Sequence, residues 1–522
     1  MKRIFLFLIL ITLASCSSIK NHNAHLNDLI EVEKLKSDVD FTYQKMKDLH
    51  PKLYWYISEK DLTYKFDSLK TTITKPITSF EFYKKLAPVV CAVREGHMIL
   101  LPSVRKYTKT ESKSFTKKGM GPFSQFEFEL FDNKMYVIKN KSYDKSIKIG
   151  TEVIAINNKK TQDYFNEYKT LFTSDGFNTT FIKNKLPRAF SRFFVQENGI
   201  KDSINFVFKT NDSIKKVTIR RKIADTTGNG KLKKRIFTDA EKAVNKTKQK
   251  ALAKRKIIEG YDKETKEFRR NLRFIEKDSA IAIIKIRGFS IGKYKKFYEQ
   301  SFQKIRDYQS KALIIDLRNN GGGQLSEIEE LYKYLSEKEF IFTDDSQVTS
   351  KTSLFRMDYL KGPWYLLPFK LVAVPVTYSI LYLITEKKDD GNYYITNSKK
   401  PEKLKDNNFK GKVYVLINGG SFSASSIISS NLKGSKRATF IGEETGGAYN
   451  GTVAGFLPNE KIPNSKTQLH LGLISCIPFY KTEKEGHGIY PDVEILPTLS
   501  DRKNGIDPEL KWAVDDFKKI QP

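Results

Sequence analysis

The first hundred residues follow a helical pattern of hydrophobic and polar positions. Between residues 29 and 46, apolar side chains recur at steps of three or four, which lines one face of a helix. Pro51 interrupts this pattern, and two further helical stretches follow near residues 60–73 and 79–93. The spacing therefore predicts a helical N-terminal domain over residues 26–105.

The next hundred residues change to the pattern of a β domain. Residues 126–130 alternate between apolar and polar side chains, and Asp132-Asn133 suits the turn of a hairpin. Residues 147–158 resemble the core motif of a PDZ domain, a module that binds chain termini by adding the peptide to a sheet edge. Upstream, Gly119-Met120-Gly121 is either a carboxylate-binding loop or a simple glycine turn. The resemblance implies a PDZ-like domain over residues 106–222.

Strands alternate with helices in the C-terminal half of the chain. Buried strands are predicted at Ile281–Ile286, Ala312–Leu317 and Val413–Ile417, with a helix near residues 293–308. This alternation indicates a sheet covered by helices, so residues 275–522 are predicted to form an α/β domain.

A lysine-rich insertion, residues 223–274, precedes that domain and is predicted to be a helical pair. Between Lys231 and Arg273 it carries 16 basic and six acidic residues, within a chain whose net charge is +32. Such a charge favours anionic partners such as lipid head groups or nucleic acid, although a lysine run is more often a solvated helical face. No nucleic-acid-binding motif accompanies it, so we expect no nucleic-acid partner.

One apolar segment allows two interpretations. Residues 364–385 contain a single charge, Lys370, and are long enough to span a bilayer. Pro368 and Pro375 are expected to break a helix there. We therefore predict a lid or hairpin over the functional site and keep membrane contact as the alternative.

Cysteine usage excludes two classes of protein. Only Cys16, Cys91 and Cys476 occur, too few for a disulfide framework or a zinc cluster. Cys91 and Cys476 form either one disulfide or two free buried thiols, and we favour the thiols. No metal or other cofactor is expected.

The N-terminus has the organisation of an export signal. Lys2 and Arg3 precede a short apolar stretch, which is too short for a transmembrane helix. Leu-Ala-Ser-Cys16 then resembles a bacterial lipobox, in which the signal is cleaved before the cysteine and its thiol is lipidated. We predict a lipoprotein signal peptide at residues 1–15, a polar tether at residues 16–25 and attachment to the cell envelope. An ordinary secretory signal is the alternative.

Two small-residue segments follow predicted buried strands and carry the candidate chemistry. Asp316-Leu-Arg-Asn-Asn-Gly-Gly-Gly323 exposes backbone amides without side chains in the way, as in an oxyanion hole or an anion-binding nest. Residues 420–426, Gly-Ser-Phe-Ser-Ala-Ser-Ser, present hydroxyls where a helix begins. Each segment alone also fits a plain turn or a serine helix cap.

Together the two segments resemble the C-terminal processing, or tail-specific, serine peptidases. Four further motifs fit the same family: His50-Pro-Lys-Leu-Tyr54, Glu95-Gly-His97, Gly442-Glu-Glu-Thr-Gly-Gly447 and Gly488-Ile-Tyr-Pro-Asp492. The resemblance covers nearly the whole mature chain except the insertion. It implies a crotonase-like α/β peptidase core, a helical N-terminal cap and a PDZ-like domain.

The resemblance also implies the site residues. Ala448 stands where one branch of the family has a catalytic lysine, so the tricorn-like Ser–His–Glu arrangement is expected. It assigns Ser423 as nucleophile, His97 as base and Glu485 as the orienting acid. The oxyanion is assigned to the backbone amides of Gly322 or Gly323 and of Ala424. His487, beside Glu485, is the rival base, and Ser421 and Ser425 are the rival nucleophiles.

Three functions compete on this evidence. The first is an exported endopeptidase that cleaves proteins or peptides near their C-termini. The second is an inactive, PDZ-containing lipoprotein that binds peptides without cleaving them. The third is a membrane-associated lipoprotein that functions through its basic insertion. Ser423, His97 and Glu485 favour the first.

Overall fold

The computed structural model describes residues 19–211, 213–223, 239–275, 279–355, 364–396 and 400–520. Cys16 and residues 1–15 lie outside the described residues, so the predicted lipid anchor and signal peptide stay predictions. Residues 19–24 form a short helix, and His22 and Asn23 bond the backbone at Val104 and Lys106. The part of the predicted tether that is described is therefore folded against its own unit.

The chain contains both helices and strands. The helices are α1 Val32–Leu49, α2 Glu59–Thr71, α3 Ser79–Cys91, α4 Lys109–Lys117, α5 Thr161–Tyr168, α6 Thr180–Asn198, α7 Asp239–Glu259, α8 Tyr294–Asp307, α9 Leu325–Lys333, α10 Leu367–Ile384, α11 Ala424–Gly434, α12 Leu499–Asn504 and α13 Pro508–Ile520. The strands of the first half are β1 Ile99–Leu101, β2 Phe126–Phe131, β3 Lys134–Asn140, β4 Glu152–Ile156, β5 Lys159–Lys160, β6 Ser203–Thr210, β7 Ser213–Arg220, β8 Tyr261–Asp262 and β9 Glu267–Phe268. Those of the second half are β10 Arg270–Ile275, β11 Ile281–Ile286, β12 Ala312–Asp316, β13 Ser346–Val348, β14 Thr385–Lys387, β15 Tyr393–Ile395, β16 Lys412–Ile417, β17 Thr439–Gly442, β18 Thr452–Ala454, β19 Asn459–Lys461, β20 Gln468–His470, β21 Ile474–Cys476 and β22 Val493–Glu494.

The chain divides into two compact units. The first contains the described residues of Met1–Thr173, Leu186–Asp225 and Phe456–Leu473. The second contains those of Ser174–Lys185, Thr226–Gly455 and Ile474–Pro522. The division falls inside α6 and takes 456–473 out of the predicted 275–522 domain.

The first unit joins helices and a sheet of its own. Helices α1, α2 and α3 bury the apolar stripe that the spacing predicts, with Leu35, Val39 and Met46 inaccessible to solvent. The sheet has the strand order β2-β3-β4-β6-β7. Its tight turns use asparagine and aspartate at positive φ, as at Asp132 and Asn133, and so confirm the predicted hairpin.

The second unit is built on a six-stranded sheet, in the order β10-β11-β12-β16-β17-β22. Strands from β11 onward are parallel, and β10 pairs antiparallel at one edge. Alternate residues of β11 face opposite sides: Ile284 packs with α8, α9 and α11, whereas Ile283 packs with α13. Helices therefore cover both faces, as the α/β prediction requires.

The prediction for the insertion is wrong in part. Among the described residues of the insertion, Asp239–Glu259 form one helix, α7, and residues 261–275 form β8, β9 and β10 rather than helix, whereas residues 224–238 lie outside the described residues. Arg270 is the cause: its fully buried guanidinium makes two 2.5 Å hydrogen bonds to the carboxylate of Glu327. This long-range pairing with α9 and the pairing of β10 with β11 outweigh the local lysine-rich pattern.

The prediction of a hairpin at residues 364–385 is also wrong. This segment contains α10, an 18-residue helix. Pro368 is the second residue of that helix, where no intrahelical bond is needed from its nitrogen, so it starts the helix instead of breaking it. Pro375 lies inside the helix and removes only one backbone donor.

Candidate active site

The two small-residue segments meet at one edge of the second unit's sheet. Strands β12 and β16 are parallel neighbours, with Asp316 opposite Leu416, so the loops that follow them leave from the same side. Asn320 joins the loops. Its carbonyl accepts hydrogen bonds from the Phe422 amide at 3.0 Å and from the Ser425 hydroxyl at 2.8 Å. A buried asparagine therefore fixes the glycine loop against the serine loop.

Ser423 has the backbone of a strained turn between strand and helix. It is the N-cap of α11, with φ 58° and ψ −124°, a conformation that L-residues rarely adopt. Strained turns of this kind expose a nucleophile at the start of a helix, where the positive end of the helix dipole stabilises developing negative charge. Ser423 is only partly buried.

The rival serines are engaged in the structure. Ser421 and Ser425 are both inaccessible to solvent. The Ser421 hydroxyl donates to the carbonyl of Leu317 at 2.8 Å, and the Ser425 hydroxyl donates to the carbonyl of Asn320. Both hydroxyls thus hold the loops together, which leaves Ser423 as the accessible candidate nucleophile of the cluster.

Two glycines approach their neighbours too closely for any side chain. A Cβ on Gly322, which has φ +98°, would lie 2.6 Å from the Cβ of Ser423. A Cβ on Gly323, which has φ +144°, would lie 2.0 Å from the carbonyl oxygen of Phe289. The glycine loop therefore lies directly against Ser423 and can do so only without side chains.

The assigned oxyanion donors differ in their hydrogen bonding. The amide of Gly322 donates to Asn320 Oδ1 at 3.0 Å, so it is already used. Among the hydrogen bonds of the described residues, the amides of Gly323 and Ala424 donate none. Ala424 is also the first residue of α11, where the helix leaves an amide unpaired. These two amides are the available donors.

His97 belongs to the first unit, where an acid from its own loop accompanies it. Its Nδ1 lies 3.4 Å from Oε1 of Glu95, which also accepts the His97 amide at 3.2 Å. The side chain of Glu95 is 2% exposed and that of His97 is 13% exposed. His50, from the His-Pro motif, is buried, and burial together with the nearby His97 lowers its pKa to about 3. The sequence interpretation did not assign Glu95 a role, although it quoted the Glu-Gly-His motif.

Glu485 and His487 lie in the second unit and face different partners. Glu485 Oε2 accepts a 2.9 Å hydrogen bond from the amide of Asn450. His487 Nδ1 lies 2.8 Å from the hydroxyl of Tyr490 and 3.4 Å from Glu444 Oε1. The pairing of Ser423 with His97 and Glu485 stays a prediction, because His97 and Ser423 are in different units.

Asp175 is a buried carboxylate that the sequence interpretation missed. It is 1% exposed, and its Oδ2 accepts the Ala448 amide at 3.4 Å. Ala448 is the position of the family's dyad lysine, and the adjoining Gly447 lies against Ser423, with its would-be Cβ 3.0 Å from the Ser423 nitrogen. No local motif marks Asp175, so only the fold reveals it.

A separate groove lies within the first unit. It has a volume of about 800 Å³ and is bordered by the loop Gly119-Met120-Gly121, the turn at Phe123 and Ser124 that precedes β2, and the end of α6. Phe123, Phe194 and Ile204 give it an apolar lining, and Arg192 and Lys222 give it positive charge. Strand β2 is an edge of its sheet, so one side of its backbone has no partner strand in the described sheet.

Both cysteines of the described chain, Cys91 and Cys476, are free thiols. Burial raises the pKa of the Cys91 thiol to about 12, so it stays protonated at neutral pH. The favoured interpretation of two free thiols is confirmed, and the raised pKa of Cys91 is the opposite of what a cysteine nucleophile needs.

Comparisons with known proteins agree with this geometry. Residues 280–495 match the model of peptidase family S41. The crystal structure of mature CPAF resembles the chain with a TM-score of 0.56 at 14% identity, covering 94% of this chain and 97% of that one. Mature CPAF complexed with lactacystin gives a TM-score of 0.55 at 15% identity, covering 94% and 98%. A search of curated proteins gave no significant match.

These solved structures share the fold of the chain, and the family match covers the glycine loop, Ser423 and Glu485. His97 lies outside the matched residues. Residues 280–495 therefore form a serine peptidase domain of family S41, the C-terminal processing peptidase family.

Proposed function

We propose that the chain is an exported serine endopeptidase that forms an acyl-enzyme at Ser423. The state of Ser423 carries the proposal: it is the accessible serine of its cluster, at a strained turn beside two amides that donate no other hydrogen bond. Neither an inactive scaffold nor a structural helix cap requires this combination, because a cap needs no strained backbone and no pair of unused donors.

The chemistry follows from these positions. The Ser423 oxygen attacks the scissile carbonyl carbon while its proton passes to a base. The carbonyl oxygen becomes an oxyanion, which accepts hydrogen bonds from the amides of Gly323 and Ala424. Collapse of the tetrahedral intermediate breaks the C–N bond, and the protonated base returns the proton to the leaving amine. Water then attacks the ester and regenerates the Ser423 hydroxyl.

His97 is the base in this proposal, and two acids support it. Glu95 lies against Nδ1 of His97, so Nδ1–H is the favoured tautomer and Nε2 is left to accept the proton. Glu485, assigned by family resemblance, would balance the imidazolium. Its hydrogen bond from Asn450 holds the carboxylate in a fixed orientation.

The groove of the first unit supports recognition of substrate C-termini. A peptide that adds to the open edge of β2 would place its last side chain against Phe123 and Phe194. Its carboxylate would lie near the glycine loop and the positive charges of Arg192 and Lys222. We infer that this is a PDZ-like site that delivers the C-terminal region of a protein to a crotonase-like core.

Lipid attachment at Cys16 completes the proposal and places the enzyme on the bacterial cell envelope. The basic n-region, the short apolar stretch and the small residues before Cys16 support it. A mass spectrum of the purified protein would show the acyl chains. A protein without them would remove the anchor from the proposal but leave the peptidase intact.

The function is tested by digesting a peptide mixture with the wild type and with Ser423→Ala, and identifying products by mass spectrometry. We expect the wild type to cut near C-termini and to cut C-terminally amidated peptides more slowly. Ser423→Ala should lose about 10⁶-fold in kcat. The Ser421→Ala control, which removes a hydrogen bond to the Leu317 carbonyl and one from the Asn418 amide, should keep measurable turnover. No products from the wild type would favour a peptide-binding scaffold instead.

A further inference from the structure

Helix α10, Leu367–Ile384, is apolar but not buried. Only 6% of the helix is buried within the structure. It runs directly into β14, which pairs with β15, and β15 pairs with β13. Both ends of the intervening segment 349–384 thus return to the same small sheet. Large apolar side chains that stay in water lose the favourable free energy of burial, so a cover for this helix is expected.

The distribution of the exposed side chains indicates what covers the helix. At 100° per residue, the exposed apolar side chains lie on nearly all sides of α10. They are Leu367, Phe369, Leu371, Val372, Val376, Ile380 and Leu383. The partly buried positions, 370, 374, 378 and 381, form one narrow stripe. A second protein chain would cover another stripe only, whereas lipid covers every remaining side.

Contacts along the stripe hold the helix to its own unit. On the stripe, the ring of Tyr378 stacks on Phe355 with centroids 4.6 Å apart. Beside it, Lys351 Nζ lies 4.4 Å from the ring centroid of Tyr382, which is exposed and outside the stripe. The stripe therefore faces the protein, and the other faces of α10 point away from it.

The polar groups of the helix suit an apolar solvent. The hydroxyl of Thr377 donates to the carbonyl of Ala373 at 2.8 Å, and that of Ser379 donates to the carbonyl of Pro375 at 3.0 Å. Hydroxyls that bond the preceding turn need no water, as hydrocarbon requires. Lys370 is the one charged residue of the helix, and it lies on the partly buried stripe, so the other sides of the helix carry no charge.

The ends of the segment suit a membrane surface. Tyr365 precedes the helix and Tyr382 lies near its end, the two ends where aromatic residues anchor helices at an interface. The whole chain carries a net charge of +32, which favours anionic lipid. An amphipathic surface helix would instead carry polar residues on its outer face.

We propose that α10 lies in one leaflet of an anionic lipid bilayer and holds the peptidase domain against the membrane, independently of Cys16. Because the segment leaves and returns to one sheet, the helix enters and leaves the bilayer from the same side. The stripe at 370, 374, 378 and 381 faces the protein, and the other faces contact acyl chains and head groups. This docking requires neither the lipid anchor nor the proposed peptidase activity.

The test attaches an environment-sensitive fluorophore to Val372→Cys, with Tyr64→Cys as the matched control on an exposed residue of the first unit. Both substitutions are made in a full-length Cys16→Ser chain, so no acyl chain contributes, and the probes are nitrobenzoxadiazole labels. On vesicles of phosphatidylcholine with about 30% phosphatidylglycerol, we expect a blue shift and quenching by spin-labelled lipid at 372 alone.

Two further measurements decide between lipid and a second copy of the chain. Phe369→Glu with Leu383→Glu should weaken the vesicle-dependent signal at least tenfold, whereas Tyr64→Glu with Ile214→Glu should not. Unchanged emission at 372 on vesicles would overturn the proposal. So would a blue shift without vesicles that rises with protein concentration and coincides with dimer mass in light scattering. Equal binding to pure phosphatidylcholine would overturn its anionic part.

Discussion

At the scale of single residues, the site depends on backbone conformations that few residues can adopt. Ser423 occupies positive φ although it is not glycine, which costs of order 1–3 kcal/mol. The surrounding hydrogen bonds of Asn320, Ser421 and Ser425 hold that conformation in place. The strain indicates that the position of the Ser423 hydroxyl, rather than local stability, determines the backbone there.

Gly322→Ala should impair the site more than its size suggests. The new methyl group would lie 2.6 Å from the Ser423 Cβ, at a φ of +98° that alanine disfavours. We expect kcat/KM to fall at least 100-fold and the unfolding free energy to fall by about 1–3 kcal/mol. Gly321→Ala is the matched control, because a Cβ there meets nothing within 4 Å. Equal activity of the two variants would show that the glycine loop does not contact the reacting groups.

The residues of this loop were only partly predictable from the sequence. The small-residue motifs identify Ser423, Gly322 and Gly323, because the role of each position requires one residue type. A nucleophilic hydroxyl here requires serine, and a close backbone approach requires glycine. Which hydroxyl is accessible, and which amide is already bonded, depends on partners far along the chain. Asn320 Oδ1 takes the Gly322 amide, and that bond follows from the fold alone.

At the scale of elements, an ion-pair network ties the end of β12 to the C-terminal helix α13. Arg318 pairs with Asp316 at 2.9 Å and with Asp507, just before α13, at 2.7 Å. Burial alone would raise the pKa of Asp316, but Arg318 and Lys285 outweigh it and hold that pKa well below its usual range. The same guanidinium lowers the pKa of Asp507, against the effect of burial.

This network predicts acid sensitivity. Because the folded-state pKa of Asp316 lies below its unfolded value of about 3.9, its contribution is complete above that value and is lost as pH falls below it. Urea unfolding followed from pH 6 to pH 2 should show stability falling mainly below about pH 4. Asp316→Asn should lower stability at pH 6 by about 3 kcal/mol and flatten this dependence. If stability of the mutant fell with pH as in the wild type, Asp316 would be excluded as the source of the acid sensitivity.

Element type was predictable where a local pattern and long-range pairing agree. Strand β11 occupies the predicted residues, Ile281–Ile286, because a continuous apolar run suits a strand buried on both faces. The prediction failed at residues 261–275, where Arg270 and its distant partner Glu327 select a strand. It failed again at α10, because two prolines were expected to break a helix. The effect of a proline depends on its place in the helix, and Pro368 lies in the first turn, where it is tolerated.

At the scale of the whole molecule, the assigned catalytic residues come from both units. His97 lies in the first unit, and Ser423 and Glu485 lie in the second. The family match over residues 280–495 covers Ser423 and Glu485 but not His97. In the proposed mechanism, activity requires His97 of the first unit to act on Ser423 of the second, and no local sequence pattern describes that requirement.

His97→Ala should remove activity near neutral pH, with kcat lower by about four to six orders of magnitude. Glu485→Gln should reduce activity less, because it changes the orientation and charge balance but leaves the base. His487→Ala is the control, since its ring bonds Tyr490. Steady-state kinetics on one peptide substrate would compare all three. An active His97→Ala together with an inactive His487→Ala would reassign the base and keep the fold.

The most direct measurement of the central claim is covalent labelling of the nucleophile. The full-length chain is treated with a fluorophosphonate, which reacts with activated serine hydroxyls, and the modified peptide is identified by mass spectrometry. The account predicts one adduct, on Ser423, and none in Ser423→Ala. An unlabelled wild type, or an adduct on Ser421, Ser425 or a serine outside this loop, would contradict it.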